Sequence, residues 1–517
     1  MKRKYVIAAA MAACVAVNGQ RGIEEQLQKL LIAESAISQL YVEPVSDSVL
    51  VESAVKGMLE KLDPHSTYLT PKEVQDSNES LNGNFDGIGI QFNMVQDTLY
   101  VVQPVVDGPS EKVGIIAGDR IVTVNDTSIA GVKMKEDAIK SRLRGPKGTH
   151  VKLGILRHGI EELIYFDVVR DKIPLNTIDA HYMIGSDIGY VKIASFGATT
   201  LQEFKDALAE LKAKGMKSLI VDLQDNGGGY LTAATGMANE FLQRDQLIVY
   251  TEGRSAGRSG FNASGDGGFK EGKVVVLIDE YSASASEILS GALQDWDRAA
   301  IVGRRSFGKG LVQRPVDFPD GSVIRLTVAK YFTPSGRCIQ KPYGDDVKYS
   351  DDIVERLHRG ELMNQDSIHF ADSLKYKTLV EGRTVYGGGG IMPDYFVPLD
   401  TTQITPYYRL LSARGVILQS SIAYVDAHRK QLERKFKTFR DYDEKFTIDK
   451  EYLDIVRKKA DALKIEFKED EYEECLPLLE MLLKALVARN LWTINEYYSI
   501  IGRRDPILKK GIEVITQ

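Results

Sequence analysis

Apolar residues near the N-terminus recur at helical spacing. Ile23, Leu27, Leu30, Leu31, Ile37, Leu40 and Tyr41 predict a helix over residues 21–41. A second helical pattern covers residues 49–62 and stops at Asp63-Pro64, since the residue before a proline is pushed out of the helical region. From about residue 81 the rhythm shortens. Residues 99–105, 120–124 and 151–156 are strand-like runs between glycine-containing turns, with a helix predicted over 133–144 that ends at Gly145-Pro146. These elements form a small module of strands with two helices, residues 81–172. After it, buried-type strands at 188–193, 218–223, 247–250, 274–278 and 299–303 alternate with helices, which predicts an α/β core over residues 173–400. One of those helices opens with the capping box Thr200-x-x-Glu203, lines Leu201, Phe204, Leu208 and Leu211 on one face, and stops at Gly215. Residues 401–517 are charged and helix-prone, for example at 452–466 and 476–489, and read as an appended helical region. No internal repeat of 20–50 residues is visible.

The first residues have a different character. Lys2-Arg3-Lys4 precedes an apolar run over residues 5–17, shorter than the roughly 20 residues a bilayer-spanning helix needs. A basic start, a short apolar stretch and small residues around Gly19 read as a secretory leader, residues 1–19, followed by an N-terminal helical region, residues 20–80. Met11-Ala12-Ala13-Cys14 also fits a lipoprotein acceptor with Cys14 as the lipidated residue. Either reading places the protein in the periplasm or otherwise outside the cytoplasm.

Composition narrows the chemistry. The 517 residues, 43% hydrophobic and 27% charged, describe a soluble multidomain globular protein. Its 72 acids against 66 bases, net −6, lack the basic footprint of a nucleic-acid binder. Cys14, Cys338 and Cys475 form no C-x-x-C, which excludes the usual zinc and redox frameworks. No metal or cofactor is expected.

Three motifs compete for the active site. Gly253-Arg-Ser-Ala-Gly257 fits the nucleophile elbow G-x-S-x-G, but an elbow feeds directly into a helix, and residues 258–268 are too rich in glycine, serine and asparagine to start one. A surface loop is the better reading. The run from Gly303 to Gly310 nearly fits a phosphate-binding loop, yet Gly310 replaces the magnesium-binding hydroxyl and a strand-like run follows where a helix is required. The third, Tyr281-Ser-Ala-Ser-Ala-Ser-Glu-Ile288, follows a strand and opens a helix. Ser284-x-x-Glu287 is itself a capping box, so by spacing alone Ser284 reads first as an N-cap; it is also placed where helix amides can stabilise an oxyanion, as a nucleophile requires.

The surrounding residues resemble one family. Ser282-Ala-Ser-Ala-Ser-Glu-Ile288 with Gly291-Ala-Leu-Gln-Asp295, then Ser306-Phe-Gly-Lys-Gly310 and Gln313, is similar to the C-terminal processing (tail-specific) serine peptidases. Residues 57–69, the glycine-rich run 222–231 and Gly388-Gly-Gly-Ile-Met-Pro-Asp394 match further motifs of that family in the same order. The resemblance implies Ser284 as nucleophile, Lys309 as general base and Gln313 as the residue that orients it. It implies an oxyanion hole from Gly228 or Gly229 with Ala285, and a core of the ClpP/crotonase-like α/β class. A lysine is a base only when neutral, so working near pH 7–8 requires lowering its pKa of about 10.4 by about three units, on the order of 4 kcal/mol. Burial can supply that, and Arg304 and Arg305 would add to it if they point inward. Gln224 stands where the family usually has arginine, removing any ion pair made there. Glu287, Asp295 and His65 read as structural.

Within residues 81–172, the run 110–125 resembles the core of a PDZ domain, with Gly87-Ile88-Gly89-Ile90 as its carboxylate-binding loop. Such a loop offers free amides to a terminal carboxylate while the peptide adds as an extra strand. Arg144 reads as a surface arginine at a helix end or as a link from that groove to the active site. The implied fold class is a multidomain α/β protein: protease core, PDZ domain, N-terminal helices and a helical C-terminal region. The implied function is an exported serine endopeptidase acting on protein tails with exposed apolar C-termini. A non-catalytic tail-binding scaffold and a crotonase-like acyl-CoA enzyme stay open as alternatives, as do self-association and attachment to a membrane through the leader or a lipid.

Overall fold

The computed structural model describes residues 20–95, 97–344 and 348–517. The leader and Cys14 lie outside them. Among the described residues two compact units are present, residues 20–74 with 313–327 and residues 75–312 with 328–517.

In the first unit, α1 (Gln20–Leu40) leads through α2 (Asp47–Leu59) to β1 (Thr67–Leu69), which pairs antiparallel with residues 323–325. The apolar row predicted on α1 is exposed at Leu27, Leu30, Leu31, Ile37 and Leu40. The second helix ends at Leu59, before the predicted stop. Asp63 then folds the chain back on itself, its Oδ1 accepting from the amides of His65 and Ser66 and its Oδ2 from the Ser66 hydroxyl at 2.6 Å.

Leading on, α3 (Pro71–Asn82) precedes the small module. Its elements are β2 (Asn84–Gly87), β3 (Ile90–Val95), β4 (Thr98–Pro104), α4 (Pro109–Lys112), β5 (Arg120–Val124), β6 (Thr127–Ser128), α5 (Glu136–Leu143), β7 (His150–Leu156), β8 (Ile164–Val169) and β9 (Asp171–Pro174). An antiparallel sheet runs β3-β4-β5-β7-β8 and leaves β3 at its edge. Leu99, Val101, Ile121, Leu153 and Ile155 pack against Ile139 and Leu143 of α5. That helix starts three residues later than its pattern suggests, because Lys133 takes a left-handed φ of 53° that no helix accommodates.

The core contains β10 (Ile178–Ile184), β11 (Ile188–Ile193), α6 (Thr200–Ala213), β12 (Ser218–Asp222), α7 (Leu231–Asn239), β13 (Leu247–Gly253), β14 (Gly257–Asn262), β15 (Val274–Ile278), α8 (Ala285–Asp295), β16 (Ala300–Gly303), β17 (Leu311–Asp317), β18 (Val323–Phe332), α9 (Asp352–His358), β19 (Lys375–Lys377), β20 (Thr384–Tyr386) and β21 (Tyr395–Phe396). The central sheet runs β10-β11-β12-β15-β16-β21 and is parallel from β11 onward. Alternate side chains point to opposite faces of a strand, so each strand here must be apolar on both. Val191, Val221 and Val276 meet Phe204, Met237, Ile288 and Leu289 of α6, α7 and α8. Tyr190, Ile220, Val275 and Leu277 face the other way. The capping box at Thr200 does not form. Thr199 is the N-cap, and Glu203 instead accepts from the amides of Thr177 and Ile178, fastening the helix to the start of β10. Residues 258–262, expected in a loop, form β14, the return strand of a hairpin with β13.

The C-terminal region is helical: α10 (Pro406–Ala413), α11 (Val416–Lys435), α12 (Phe439–Lys445), α13 (Lys450–Ala462), α14 (Glu469–Leu491), α15 (Ile494–Ile501) and α16 (Pro506–Thr516). Six of these helices, α10 to α15, share a core that includes Leu411, Val425, Tyr442, Tyr452, Leu483 and Ile500. Pro477 suggests a helix start, yet α14 begins at Glu469 and carries the proline inside; Glu469, Asp470 and Glu471 complement the positive end of its dipole. From α11, Asp426 accepts from Tyr100 Oη at 3.0 Å and pairs with Arg120 at 2.8 Å, both on the small module. The last helix, α16, covers the second face of the core sheet with Ile507, Leu508 and Ile515. Cys338 and Cys475 are free thiols. Among the described residues no helix is long and apolar enough to cross a membrane.

Candidate active site

The chain leaves β15 at Ile278 and turns into α8 through a bend organised by Asp279. Its Oδ1 accepts from the amides of Tyr281 and Ser282, each at 3.0 Å, and both its oxygens lie within reach of the Asp225 amide. Burial, with the Asp225 and Glu280 charges beside it, pushes this carboxyl up to about 6. Ser284 follows, half-buried, with φ 56° and ψ −110°. That conformation costs a non-glycine residue about 1–3 kcal/mol and persists only where the surroundings enforce it.

The enforcement comes from Glu287, fully buried in the first turn of α8. Its Oε2 accepts from the amides of Ser284 at 2.8 Å and Lys309 at 2.9 Å. Its Oε1 accepts from the Gly308 amide at 2.7 Å and the Ser306 hydroxyl at 2.5 Å. One carboxylate therefore ties the main chain at Ser284 to the main chain at Lys309. Burial raises the Glu287 carboxyl, and these four donors oppose that rise. Tyr331 closes the arrangement from the carbonyl side. Its buried hydroxyl lies 3.1 Å from the Ser284 carbonyl oxygen and 2.7 Å from that of Lys309.

The loop carrying Lys309 is held along its length. Buried Arg356 donates to the carbonyls of Ser306 at 2.9 Å, Arg305 at 3.2 Å and Phe307 at 3.3 Å. The distal glycine motif packs here too, with the Ile391 amide donating to Ser306 Oγ at 2.6 Å. Arg304 is paired with Glu280 at 2.6 Å, and Arg305 with Glu361 and the Gly389 carbonyl. Each arginine is thus matched by a glutamate, so neither stands as an uncompensated positive charge in this loop. Gln313 belongs to the first unit, where its Nε2 donates to Thr327 Oγ1 at 3.2 Å; that hydroxyl donates in turn to Asp63 Oδ1 at 3.0 Å.

The glycine loop after β12 meets the start of α8. A Cβ on Gly228 would lie 2.7 Å from the Ala283 carbonyl oxygen, 2.8 Å from Ser284 Cβ and 2.9 Å from the Ala285 nitrogen, and its φ of 99° excludes most side chains as well. Asn226 locks the loop in place. Its carbonyl accepts from the Ala283 amide and the Ser286 hydroxyl, each at 2.9 Å, and its Oδ1 accepts from the Gly228 amide at 2.8 Å. Gly228 therefore lies beside Ala285, while Gly229 lies against the main chain of Phe196. Asp295, at the far end of α8, forms a fully buried pair with Arg337 at 2.7 Å.

In the small module, Gly87 ends β2, Ile88 is buried, Gly89 turns with φ 71°, and Ile90 opens the edge strand β3. Ile90, Phe92 and Met94 lean on the core that holds Ile139 and Leu143. Arg144 pairs with Glu79 of α3 at 2.7 Å and lies over the Phe85 ring, so it is anchored rather than a loose surface charge. Tyr331 and Arg356 carry no local sequence signal, since what matters is where distant segments bring them. Glu287 was visible only as the partner in a capping box.

Comparison with known proteins matches residues 187–349 to peptidase family S41, 87–168 to the PDZ domain, 7–73 to the activating protease CtpB N-terminal domain, and 407–493 to a family of unknown function, DUF8443. A carboxy-terminal-processing protease of Bartonella bacilliformis is 36% identical over 418 residues, covering 80% of this chain and 93% of its own length. Carboxy-terminal processing protease CtpA of Bacillus subtilis is 36% identical over 323 residues, 62% of this chain and 67% of the relative. Among solved structures, a photosystem II D1 C-terminal processing protease matches at 25% identity and a TM-score of 0.37, over 72% of this chain and 93% of that one.

Proposed function

The chain belongs to the carboxy-terminal processing peptidases of family S41, and from that premise we propose that it is an exported serine endopeptidase that captures protein tails on its PDZ domain and cleaves them with a Ser284–Lys309 dyad. The observation that carries this reading is the double tether of the two residues, through the Glu287 carboxylate and the Tyr331 hydroxyl. In this reading neutral Lys309 takes the proton of Ser284 Oγ as that oxygen attacks the scissile carbonyl. The amide of Gly228 or Gly229, with that of Ala285, receives the oxyanion. Lysinium then protonates the leaving amine, an acyl-enzyme remains on Ser284, and water activated by Lys309 releases it. Gln313 is the orienting residue that the resemblance implies, and its bond to Thr327 fixes the direction of its own amide. The loop Gly87–Ile90 takes the substrate's terminal carboxylate while the peptide pairs with the free edge of β3. The basic and apolar leader supports export.

The test uses an unfolded reporter ending in an apolar tail, alongside the same reporter with an amidated C-terminus. The free tail should be cleaved and the amidated one cleaved much more slowly. Equal rates on both would remove tail capture from the account. Absence of cleavage of either would favour a tail-binding scaffold.

A further inference from the structure

Gln224, the residue standing where the family usually has arginine, is not left without a partner. Its Nε2 donates to Asp505 Oδ2 at 2.7 Å and lies 3.3 Å from Asp222 Oδ2. Asp505 is the N-cap of α16, the last helix of the chain, and its Oδ1 accepts from the Ile507 amide at 2.8 Å. The C-terminal region therefore reaches through the second face of the core sheet to the end of β12. We infer that Asp505 is a positioning residue for the proposed active site, holding through Gln224 the loop that carries the oxyanion-hole glycine. The inference rests on the Ser284–Lys309 reading.

The path is short and bonded at every step. Gln224 is the second residue beyond β12, and its main chain is fixed on both sides: its amide donates to Asp222 Oδ1 at 2.9 Å, and its carbonyl accepts from Lys192 Nζ at 2.6 Å. Asp225 then adopts a left-handed φ of 59° with its amide on Asp279, the residue that shapes the bend into Ser284. Asn226 follows, tied to Ala283 and Ser286, and then Gly228 against Ser284. A side-chain amide suits this place. Asp222 is buried and Asp505 half-buried, Tyr190 donates to Asp222 at 2.6 Å, and Lys192 supplies one positive charge. Gln224 brings a donor to both carboxylates without a further charge. If Asp505 no longer accepts from it, the side chain loses its anchor and the loop entry is released.

Capping and positioning can be separated by substitution. Serine caps a helix about as well as aspartate but is too short to reach Gln224. On the full chain, Asp505→Ser should lower kcat for a short peptide about tenfold or more with KM little changed, because sub-ångström displacement of an oxyanion donor costs rate rather than binding. Gln224→Met alone should resemble Asp505→Ser, and the double variant should be no worse than either single one. Hydrogen exchange of residues 224–230 supplies a readout independent of proteolysis: it should quicken in Asp505→Ser and in Gln224→Met alike. Unchanged exchange and unchanged kcat in Asp505→Ser would overturn the inference and reduce Asp505 to a helix cap. Activity that persists without Ser284 would instead overturn the dyad and leave the exchange result standing.

Discussion

Glu287→Gln is the most informative single change in the active site. The wild-type carboxylate has four donors aimed at two oxygens, and glutamine replaces one of those oxygens with a donor. If Nε2 takes the Oε1 place, the Ser306 hydroxyl can turn to accept, and the Gly308 amide is orphaned. If it takes the Oε2 place, the amides of Ser284 and Lys309 are both orphaned. The first orientation is cheaper, at about 1–3 kcal/mol for one buried unpaired amide. The three remaining bonds lose their charge assistance, about 1 kcal/mol each. Relief from burying a charge offsets part of that, leaving a net destabilisation of about 3 kcal/mol. The kinetic effect should be the larger one. The Lys309 main chain is held to Ser284 through this carboxylate and Tyr331 alone among the side-chain bonds described above, and a shift near 1 Å costs about 100-fold in rate. Steady-state kinetics on a quenched fluorescent peptide would show kcat falling by one to two orders of magnitude, with thermal melting lowered in parallel. A kcat within twofold of wild type and an unchanged melting temperature would refute the tether.

Three further outcomes follow from the geometry. Gly228→Ala should abolish measurable cleavage, since its Cβ would overlap the Ser284 Cβ, and it should cost about 2–4 kcal/mol from strain and overpacking together; kinetics with a chemical melt checks both. Asp279 has a folded-state carboxyl raised to about 6 over an ordinary value of 3.8, so the folded state binds its proton more tightly between those values. The Asp279 contribution to stability therefore falls as pH rises from about 4 to 6 and is flat above; Asp279→Asn should remove that slope, about 3 kcal/mol in all, from the difference between the two pH–stability curves. Asp426→Ala removes both the ion pair to Arg120 and the bond from Tyr100, and should loosen the PDZ domain from the helical region, seen as faster hydrogen exchange in β4 and β5 with α14 unaffected.

Much of this molecule is legible in its sequence because its periodicities are strong. Continuous apolar runs at 188–193, 218–222 and 274–278 can only be strands covered on both faces, and the helices between them show a clear apolar stripe. At Thr200-x-x-Glu203 a tertiary partner overrides a local rule: a good capping box gives way to bonds from the Thr177 and Ile178 amides at the start of β10. The helical pattern over 476–489 belongs to a longer helix that begins upstream, at the three acids from Glu469. The apolar row of α1 is exposed. The site divides in the same way. Ser284, Lys309 and the glycine loop stand out by spacing and resemblance. Tyr331, Arg356 and Asp505 do not, because each acts from a segment tens to hundreds of residues away, and nothing in a tyrosine, an arginine or a helix-capping aspartate announces its target. Gln224 was a departure from pattern in the sequence, and the structure supplies its partner.

The central claim is that Ser284 is the nucleophile and that Lys309 activates it. A fluorophosphonate forms a covalent adduct only with an activated serine, and peptide mapping by mass spectrometry locates it. One adduct is expected, on Ser284, absent from Ser284→Ala and slowed by at least two orders of magnitude in Lys309→Ala while tail binding persists. An adduct on another serine, or labelling of Ser284 at an undiminished rate without Lys309, would contradict it.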